Sequence, residues 1–258
     1  MAHDAPNGKV YLVGAGPGAP DLLTLRAARI IASADILFHD ALVNPEIVAL
    51  AARAEKVAVG KRHGRYSTVQ SFINKRLVDA ARRHAVVVRL KGGDPLMFGR
   101  AQEELDALAA AGIEVEIVSG ITAAFAAGAS LGVSLTQRGV SRNVTFVTPR
   151  VGKDEAVSDW AAAVLAADTA VIYMGAGEAA AIAATLISRG MNPGRPAALI
   201  ENASLTGEAV HVGTVAELEA LAQRLGAGPA IIVVGEVLRG LSTATAASTV
   251  KQRLRKLG

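Results

Sequence analysis

The 258-residue chain contains no cysteine, and only 3% of its residues are aromatic. Without cysteine it has no disulfide, no thiolate metal ligand and no cysteine nucleophile. Its histidines, His3, His39, His63, His84 and His211, include no pair four residues apart, so we expect no histidine-based metal site. Few aromatic rings are available for stacking on bases, and the basic residues form no long run. We therefore do not expect a nucleic-acid partner.

The sequence also lacks the features of a secreted or membrane protein. Its first residues, MAHDAPNGK, have neither the cationic nor the apolar region of a signal peptide. Residues 117–137 contain no charged side chain over 21 positions, a length that could cross a bilayer. This segment is rich in Gly, Ser, Thr and Ala, however, which favours a buried helix of a soluble protein. We expect a cytoplasmic protein with no membrane partner.

The composition is that of a folded protein with a substantial core. Apolar residues make up 51% of the chain, charged residues 19%, and the mean hydropathy is +0.35. Disordered chains have low hydrophobicity and high net charge, and this chain has neither. A formal charge of +4 and a pI near 9.6 favour an anionic partner, such as a compact polyanionic metabolite.

Short apolar runs alternate with Ala- and Leu-rich amphipathic segments, which predicts βα units and mainly parallel sheets. We predict two α/β domains, residues 1–118 and 119–240, with an active-site cleft between them and a C-terminal tail over residues 241–258. Asp21 is expected to cap the first helix, and Gly112 to follow the end of the fourth. The predicted strands are residues 10–13, 36–38, 56–59, 86–90, 115–118, 144–147, 170–173, 197–200, 210–212 and 230–234.

Four unusual loops follow the first four predicted strands. They comprise residues 14–18 (GAGPG), 39–40 (HD), 60–64 (GKRHG) and 91–95 (KGGDP). Ligands of parallel sheets bind beyond the carboxyl ends of the strands, so these loops should gather at one edge. A carboxylate (Asp40), an ammonium group (Lys61) and a Gly-Gly-Asp turn at three successive strand ends indicate a catalytic site.

The first of these loops is similar to a dinucleotide-binding fingerprint but departs from it in two ways. Ala19 stands where the third glycine is needed, and Pro17 has no amide hydrogen to offer a phosphate. A rigid turn against a ligand without a phosphate is the better interpretation.

The motifs taken together resemble the uroporphyrinogen-III C-methyltransferase family, within the tetrapyrrole methylase superfamily. The likeness runs from Lys9 to Arg239. The chain departs from the family pattern at Ser119, Phe125, Gln137 and Pro149-Arg150, none of which removes Asp40, Lys61 or Asp94. The motifs that carry the likeness are VGAGPG (13–18), DLLTL (21–25), VGKR (59–62), LKGGDP (90–95), FGR (98–100), GITAA (120–124) and YMG (173–175).

This resemblance implies a homodimer that transfers two methyl groups from S-adenosyl-L-methionine to carbons 2 and 7 of uroporphyrinogen III. The products would be S-adenosyl-L-homocysteine and precorrin-2, a precursor of sirohaem and cobalamin. Asp40 matches the family's proton acceptor and Lys61 its proton donor. Residues expected to bind the substrate carboxylates are Lys61, Arg62, Arg65 and Arg100. Residues expected to contact the methyl donor are Pro17, Gly92, Gly93, Asp94, Met97, Thr122, Ala123, Tyr173, Met174 and Ala203.

The chemistry of the residues agrees with this implication. Methyl transfer from a sulfonium needs alignment and exclusion of water more than it needs a metal. The methylated ring must then lose a proton, for which a carboxylate is suited. Two alternatives remain: a methyltransferase for a later precorrin, which a substrate panel would separate, and a non-catalytic module that binds a polyanion, which strongly salt-dependent DNA binding would favour.

Overall fold

A computed structural model describes residues 8–59, 70–151, 156 and 158–242 of the chain. Their contacts divide the chain between Thr122 and Ala123 into two compact units, Met1–Thr122 (unit 1) and Ala123–Gly258 (unit 2). Of the predicted C-terminal tail, only residues 241 and 242 are among the described residues.

Unit 1 contains a five-stranded sheet in the order β3-β2-β4-β1-β5, in which every pairing is parallel. A parallel sheet is therefore confirmed for this half of the chain. The strands are β1 (Lys9–Gly14), β2 (Ile36–His39), β3 (Glu55–Ala58), β4 (Val86–Lys91) and β5 (Val115–Val118). The helices are α1 (Leu25–Ser33), α2 (Pro45–Ala49), α3 (Gln70–Ala81) and α4 (Ala101–Ala110).

Both faces of this sheet are buried, as parallel sheets require. Because side chains alternate along a strand, neighbouring residues of one strand join different cores. Val13 and Leu90 pack with Ile31 of α1 on one face. Leu12 and Val87 belong to the other core, whose members on the covering helices include Leu77 of α3 and Leu108 of α4. Val87, Arg89 and Lys91 occupy every second position of β4, so all three lie on the face that α3 and α4 cover.

The cap predicted for the first helix is wrong by three residues. Residues Pro20–Leu22 form a short 3-10 turn, and Thr24 is the N-cap of α1, accepting a hydrogen bond from the Ala27 amide at 3.1 Å. Pro20 fits the first position of that turn, which separates Asp21 from the first turn of α1. At the other end of the unit, Gly112 follows α4 with a φ of +68°, as predicted.

Unit 2 contains a second five-stranded sheet, in the order β6-β7-β10-β8-β9. The strands are β6 (Val144–Val147), β7 (Thr169–Tyr173), β8 (Pro196–Glu201), β9 (Ala209–Thr214) and β10 (Ala230–Gly235). The helices are α5 (Ala123–Leu131), α6 (Trp160–Ala166), α7 (Ala179–Ser188) and α8 (Leu218–Ala222).

The direction of pairing in this second sheet differs from the predicted mainly parallel pattern. Only β6 and β7 are parallel, and the other three pairings are antiparallel. The connection between β8 and β9, residues 202–208, is too short for the crossover that parallel neighbours need. Strand β10 lies between β7 and β8 and is antiparallel to both. Strands β7 and β8 therefore run in the same direction.

The uncharged segment 117–137 contains the end of β5 and the nine-residue helix α5, with Gly120 preceding the helix as predicted. Most of α5 is buried, including Ala124, Ala127 and Leu131. Across the part of the chain that the structure describes, no helix has both the length and the apolar character needed to cross a membrane.

Candidate functional site

Three chain segments that follow strands of unit 1 are joined at the carboxyl edge of its sheet. Gly16 and Gly93 form an isolated antiparallel bridge, with amide-to-carbonyl distances of 3.1 and 2.7 Å. Asp94 accepts a hydrogen bond from the Leu96 amide at Oδ1 (2.9 Å) and from the Gly120 amide at Oδ2 (3.0 Å). The ends of β1, β4 and β5 are thus fixed to one another; of the four loops predicted to gather, those after β1 and β4 meet here, and residues 60–64 lie outside the described part.

This close approach depends on glycine. A Cβ atom on Gly120 would lie 2.3 Å from the Gly93 carbonyl oxygen, and one on Gly14 would lie 2.6 Å from the Gly120 Cα. Gly93 has a φ of +68°, which few other residues adopt easily. Gly92 is different, because a Cβ atom there would meet none of the described residues within 4 Å apart from its two neighbours in the chain. The fixed turns therefore border open space beside Gly92, which gives room for a ligand.

The predicted ligand contacts Pro17 and Met97 are half-buried in these segments. The Met97 amide donates to the Asp94 carbonyl oxygen at 3.2 Å. Asp94 bonds its own turn through Oδ1 and the segment after β5 through Oδ2, yet each oxygen has a second lone pair that a ligand hydroxyl could use. Arg100 is exposed and forms a two-bonded ion pair with Glu103 at 2.7 and 2.8 Å.

Asp40 directly follows β2, and its amide donates to the Leu90 carbonyl oxygen at 3.3 Å. This hydrogen bond continues the pairing of β2 with β4 and places Asp40 at the same edge of the sheet. Its side chain is 32% exposed. The Oδ1 atom accepts a hydrogen bond from the Arg89 Nη2 atom at 2.6 Å. Asp40 is therefore a partly exposed carboxylate held on one side by a buried cation.

A buried charge network, made of Arg89, Lys91 and Glu104, supports this carboxylate from within the unit. The side chains of all three are at most 4% exposed. Glu104 Oε1 accepts from Arg89 Nε at 3.0 Å, and Lys91 Nζ lies 3.1 Å from both Glu104 oxygens. Gln70 donates to Glu104 from α3 at 3.2 Å. Every charge in the network has a partner, as buried charges require.

The two cations of the network differ in their titration. Burial acts to lower the pKa of the Arg89 guanidinium, but the charges of Asp40 and Glu104 outweigh it and raise that pKa above its ordinary value. Burial lowers the pKa of Lys91 below its ordinary value, and the positive charge of Arg89 adds to this, despite the opposing charge of Glu104. Burial therefore disfavours the charged form of Lys91, whereas the two carboxylates favour the charged form of Arg89.

Of the remaining residues predicted for unit 1, the structure describes only Thr122. Thr122 is buried at the end of the unit. Lys61, the predicted proton donor, lies outside the described residues, as do the predicted substrate ligands Arg62 and Arg65.

The predicted contacts in unit 2 gather at one edge of its own sheet. Met174 follows β7 and Ala203 lies two residues beyond the end of β8, and these strands run in the same direction on either side of β10. The Tyr173 hydroxyl accepts a hydrogen bond from the Ala124 amide at 3.1 Å, which brings Ala123 and the start of α5 to this edge. Met174 is 45% exposed, whereas Ala203 is 7% exposed.

Sequence reasoning missed the part that Arg89 and Glu104 play at the site. A signal was present, because β4 reads VVVRLK and carries two cations at alternate positions of an otherwise apolar strand. Two such cations on one buried face require a carboxylate from another element. The sequence alone does not single out Glu104 from its exposed neighbour Glu103.

Comparison with known proteins gives consistent matches over most of the chain. The family model described as Tetrapyrrole (Corrin/Porphyrin) Methylases matches residues 9–219. The uroporphyrinogen-III C-methyltransferase of Pseudomonas aeruginosa is 47% identical over 236 residues, which are 91% of this chain and 96% of that protein.

Two further matches extend this comparison. Siroheme synthase 1 of Yersinia pseudotuberculosis is 45% identical over 232 residues, 90% of this chain but 49% of that protein, so the chain spans about half of it. Among solved structures, the uroporphyrin-III C-methyl transferase from Thermus thermophilus complexed with S-adenyl homocysteine is 38% identical. It matches with a TM-score of 0.79 over 91% of this chain and 100% of that one.

Proposed function

This chain belongs to the tetrapyrrole methylase family, and we propose that it methylates carbons 2 and 7 of uroporphyrinogen III to give precorrin-2. S-adenosylmethionine would be the methyl donor and S-adenosylhomocysteine the second product. The observation that carries the proposal is a partly exposed carboxylate, Asp40, held by Arg89 at the sheet edge where glycine turns leave open space. The matched proteins favour this substrate over others of the family, because two of those compared are named for uroporphyrin-III methylation.

When bound, S-adenosylmethionine supplies a methyl group on a positively charged sulfur. An electron-rich pyrrole carbon of the substrate forms the new carbon–carbon bond as the carbon–sulfur bond breaks, which leaves a neutral thioether and a cationic ring. The ring regains neutrality by losing a proton. In this proposal Asp40 accepts that proton, a contribution that for a general base is typically about 10²- to 10⁴-fold in rate.

The proposed donor-contacting residues come from both units. In unit 1 the glycine turn at Gly92 and Gly93 leaves room for a ligand, and Pro17, Asp94, Met97 and Thr122 lie in the same unit. In unit 2 the contacts are uncharged and belong to Ala123, Tyr173, Met174 and Ala203. Contacts that orient the donor and exclude water suit a reaction whose catalysis is mostly alignment.

The proposal includes further features of the family. Lys61 would donate a proton. The residues that would bind the substrate carboxylates are Lys61, Arg62, Arg65 and Arg100, and an arginine can form two hydrogen bonds with one carboxylate. The enzyme would be a cytoplasmic homodimer without nucleic-acid or membrane partners, and light scattering of the purified protein tests the dimer. The domain boundary at residues 118 and 119 is tested by expressing residues 1–118 alone.

The deciding experiment is an anaerobic incubation of the protein with S-adenosylmethionine and enzymatically made uroporphyrinogen III. Mass spectrometry should find a product heavier by two methyl groups. Asp40→Asn should lower turnover strongly while leaving the affinity for S-adenosylhomocysteine, measured by calorimetry, nearly unchanged. Binding of S-adenosylhomocysteine without methylation of uroporphyrinogen III would contradict the proposal, and a panel of later precorrins would then identify the substrate.

A further inference from the structure

Arg89 occupies a position between the proposed proton acceptor and the buried interior of unit 1. Its side chain is 2% exposed, and its guanidinium contacts two carboxylates at once. Nη2 donates to Asp40 at 2.6 Å and Nε donates to Glu104 at 3.0 Å. A third donor, Nη1, bonds the Leu90 carbonyl oxygen at 3.2 Å. The guanidinium is thus held by partners on three of its nitrogens.

The partners of Arg89 are themselves fixed. Glu104 is fully buried on α4 and also accepts two hydrogen bonds from Lys91 and one from Gln70. Asp40, in contrast, has 32% of its side chain exposed. One end of the chain of contacts is therefore anchored in the core, and the other reaches the edge where chemistry is proposed.

We propose that Arg89 is a positioning residue for Asp40, and that Glu104 holds Arg89 in place for this purpose. This inference rests on the proposed function, in which Asp40 accepts the proton from the methylated ring. By bonding Oδ1, Arg89 fixes the carboxylate plane. The other oxygen, Oδ2, receives no hydrogen bond from the residues that the structure describes, which leaves it for the substrate.

The geometry requires an arginine at this place. A guanidinium carries five donors in one plane and can bond two carboxylates in fixed directions, whereas the ammonium of lysine is a single point of charge on a flexible stem. The positive charge also has to persist at a buried position. Burial lowers the pKa of Lys91, whereas at Arg89 the carboxylates outweigh burial and raise the pKa.

A purely structural role is the alternative, in which Arg89 only balances the charges of buried carboxylates. In that case the loss of Arg89 would impair the enzyme whether or not Asp40 is present. If Arg89 acts through Asp40, its loss should have no further effect on turnover once the Asp40 carboxylate is gone. A double-mutant cycle on kcat separates the two roles.

The test uses the full chain with Arg89→Met, Asp40→Asn and the double variant. Arg89→Met leaves Glu104 paired with Lys91, so the core keeps a neutral pair. We expect Arg89→Met to lower kcat about 10²-fold, the scale set by misplacing a reacting group, with the affinity for S-adenosylhomocysteine within about twofold. The double variant should be no slower than Asp40→Asn alone. Arg89→Lys should recover only part of the loss.

Lys91→Met is the matched control. It also removes one buried cation of the network, but the Lys91 side chain forms no hydrogen bond with Asp40. Its effect on kcat should be the same factor in the native and the Asp40→Asn backgrounds. An Arg89→Met effect that multiplies with Asp40→Asn in the same way would overturn the proposal.

The remaining outcomes also decide. If Arg89→Met does not fold, Arg89→Lys replaces it in the cycle, and a folded Arg89→Lys enzyme with native kcat contradicts a positioning role. An active native enzyme with an unimpaired Asp40→Asn variant removes Asp40 as the base and this inference with it. A native protein that binds S-adenosylhomocysteine but transfers no methyl group refutes the proposed function itself, which is a different result from either of these.

Discussion

The two units bring their candidate residues to a sheet edge by different means. In unit 1 all strands are parallel, so every strand end reaches the same edge, and the residues gathered there or beneath it include Asp40, Arg89, Asp94 and Glu104. In unit 2 the neighbours β7 and β8 of the antiparallel strand β10 share a direction, and their ends present Tyr173, Met174 and Ala203. The candidate residues at the first edge are mostly charged, and those at the second are uncharged.

This contrast suggests a division of work within the proposed reaction. Proton transfer needs ionisable groups whose orientation is fixed, and unit 1 fixes them with buried ion pairs. Binding an adenosine and a thioether needs apolar contact and backbone groups, which the proposed contacts at the edge of unit 2 and at the Gly92 turn of unit 1 would offer. Substitutions in the charge network of unit 1 should therefore affect folding and turnover, and substitutions at the edge of unit 2 should affect ligand affinity.

The largest expected effect is that of Glu104→Gln in unit 1. This change leaves Arg89 and Lys91 as buried like charges with the carboxylate between them removed. Loss of one partner from a buried pair costs about 3–5 kcal/mol, so urea denaturation should show a strong destabilisation. Glu103→Gln is the control, because Glu103 is on the same helix but 47% exposed in its ion pair, where the cost is about 0–1 kcal/mol. Equal stability of the two variants would contradict the account of the network.

The next prediction compares Gly120 and Gly92 of unit 1, which differ in the space that an added Cβ atom would have. Gly120→Ala places a methyl group 2.3 Å from the Gly93 carbonyl oxygen and should destabilise the protein by about 1–3 kcal/mol. The methyl group of Gly92→Ala would meet no atom within 4 Å in the described part of the chain beyond its sequence neighbours, so the free protein should be as stable as the native one. We expect it nevertheless to weaken S-adenosylhomocysteine binding about tenfold, since the methyl group enters the space proposed for the ligand.

Thermal denaturation and calorimetry on both variants measure these two results. Native affinity in Gly92→Ala would move the ligand away from this turn. Gly93→Leu is a poorer probe, because Gly93 has a φ of +68° and a side chain there would strain the backbone before any ligand binds.

Much of the fold could be predicted because it depends on local pattern. All ten predicted strands form, since each is a short and mostly apolar run. The direction of strand pairing in unit 2 could not be predicted from the apolar runs, because such a run has the same pattern in parallel and antiparallel sheets. The short connection over residues 202–208 was the available sign of an antiparallel neighbour. Likewise, Asp21 and Thr24 are both good caps, and only the turn formed by Pro20 decides between them.

The site divides in the same way between local and long-range features. Asp40, Gly92, Gly93 and Asp94 were predicted at strand ends, where the structure places them. The partnership of Arg89 with Glu104 joins residues 15 positions apart on different elements, and no spacing rule connects them. The need for glycine at position 120 likewise arises from segments near positions 14 and 93 that are distant in sequence.

The smallest expected effect is at the edge of unit 2. Met174 has a φ of +55° and is 45% exposed, so its side chain adds little to the core, while its backbone conformation is unfavourable for an L-residue. Met174→Gly should therefore leave the free protein as stable as before, or more stable by up to about 1 kcal/mol. If this edge contacts the methyl donor, the same change should weaken S-adenosylhomocysteine binding about three- to tenfold, consistent with loss of about 1 kcal/mol of apolar contact. Leu42 of unit 1, which is 70% exposed, provides the control, because Leu42→Ala should change neither quantity. Unaltered affinity in Met174→Gly would leave unit 1 alone as the ligand-binding part and end the proposed division of work.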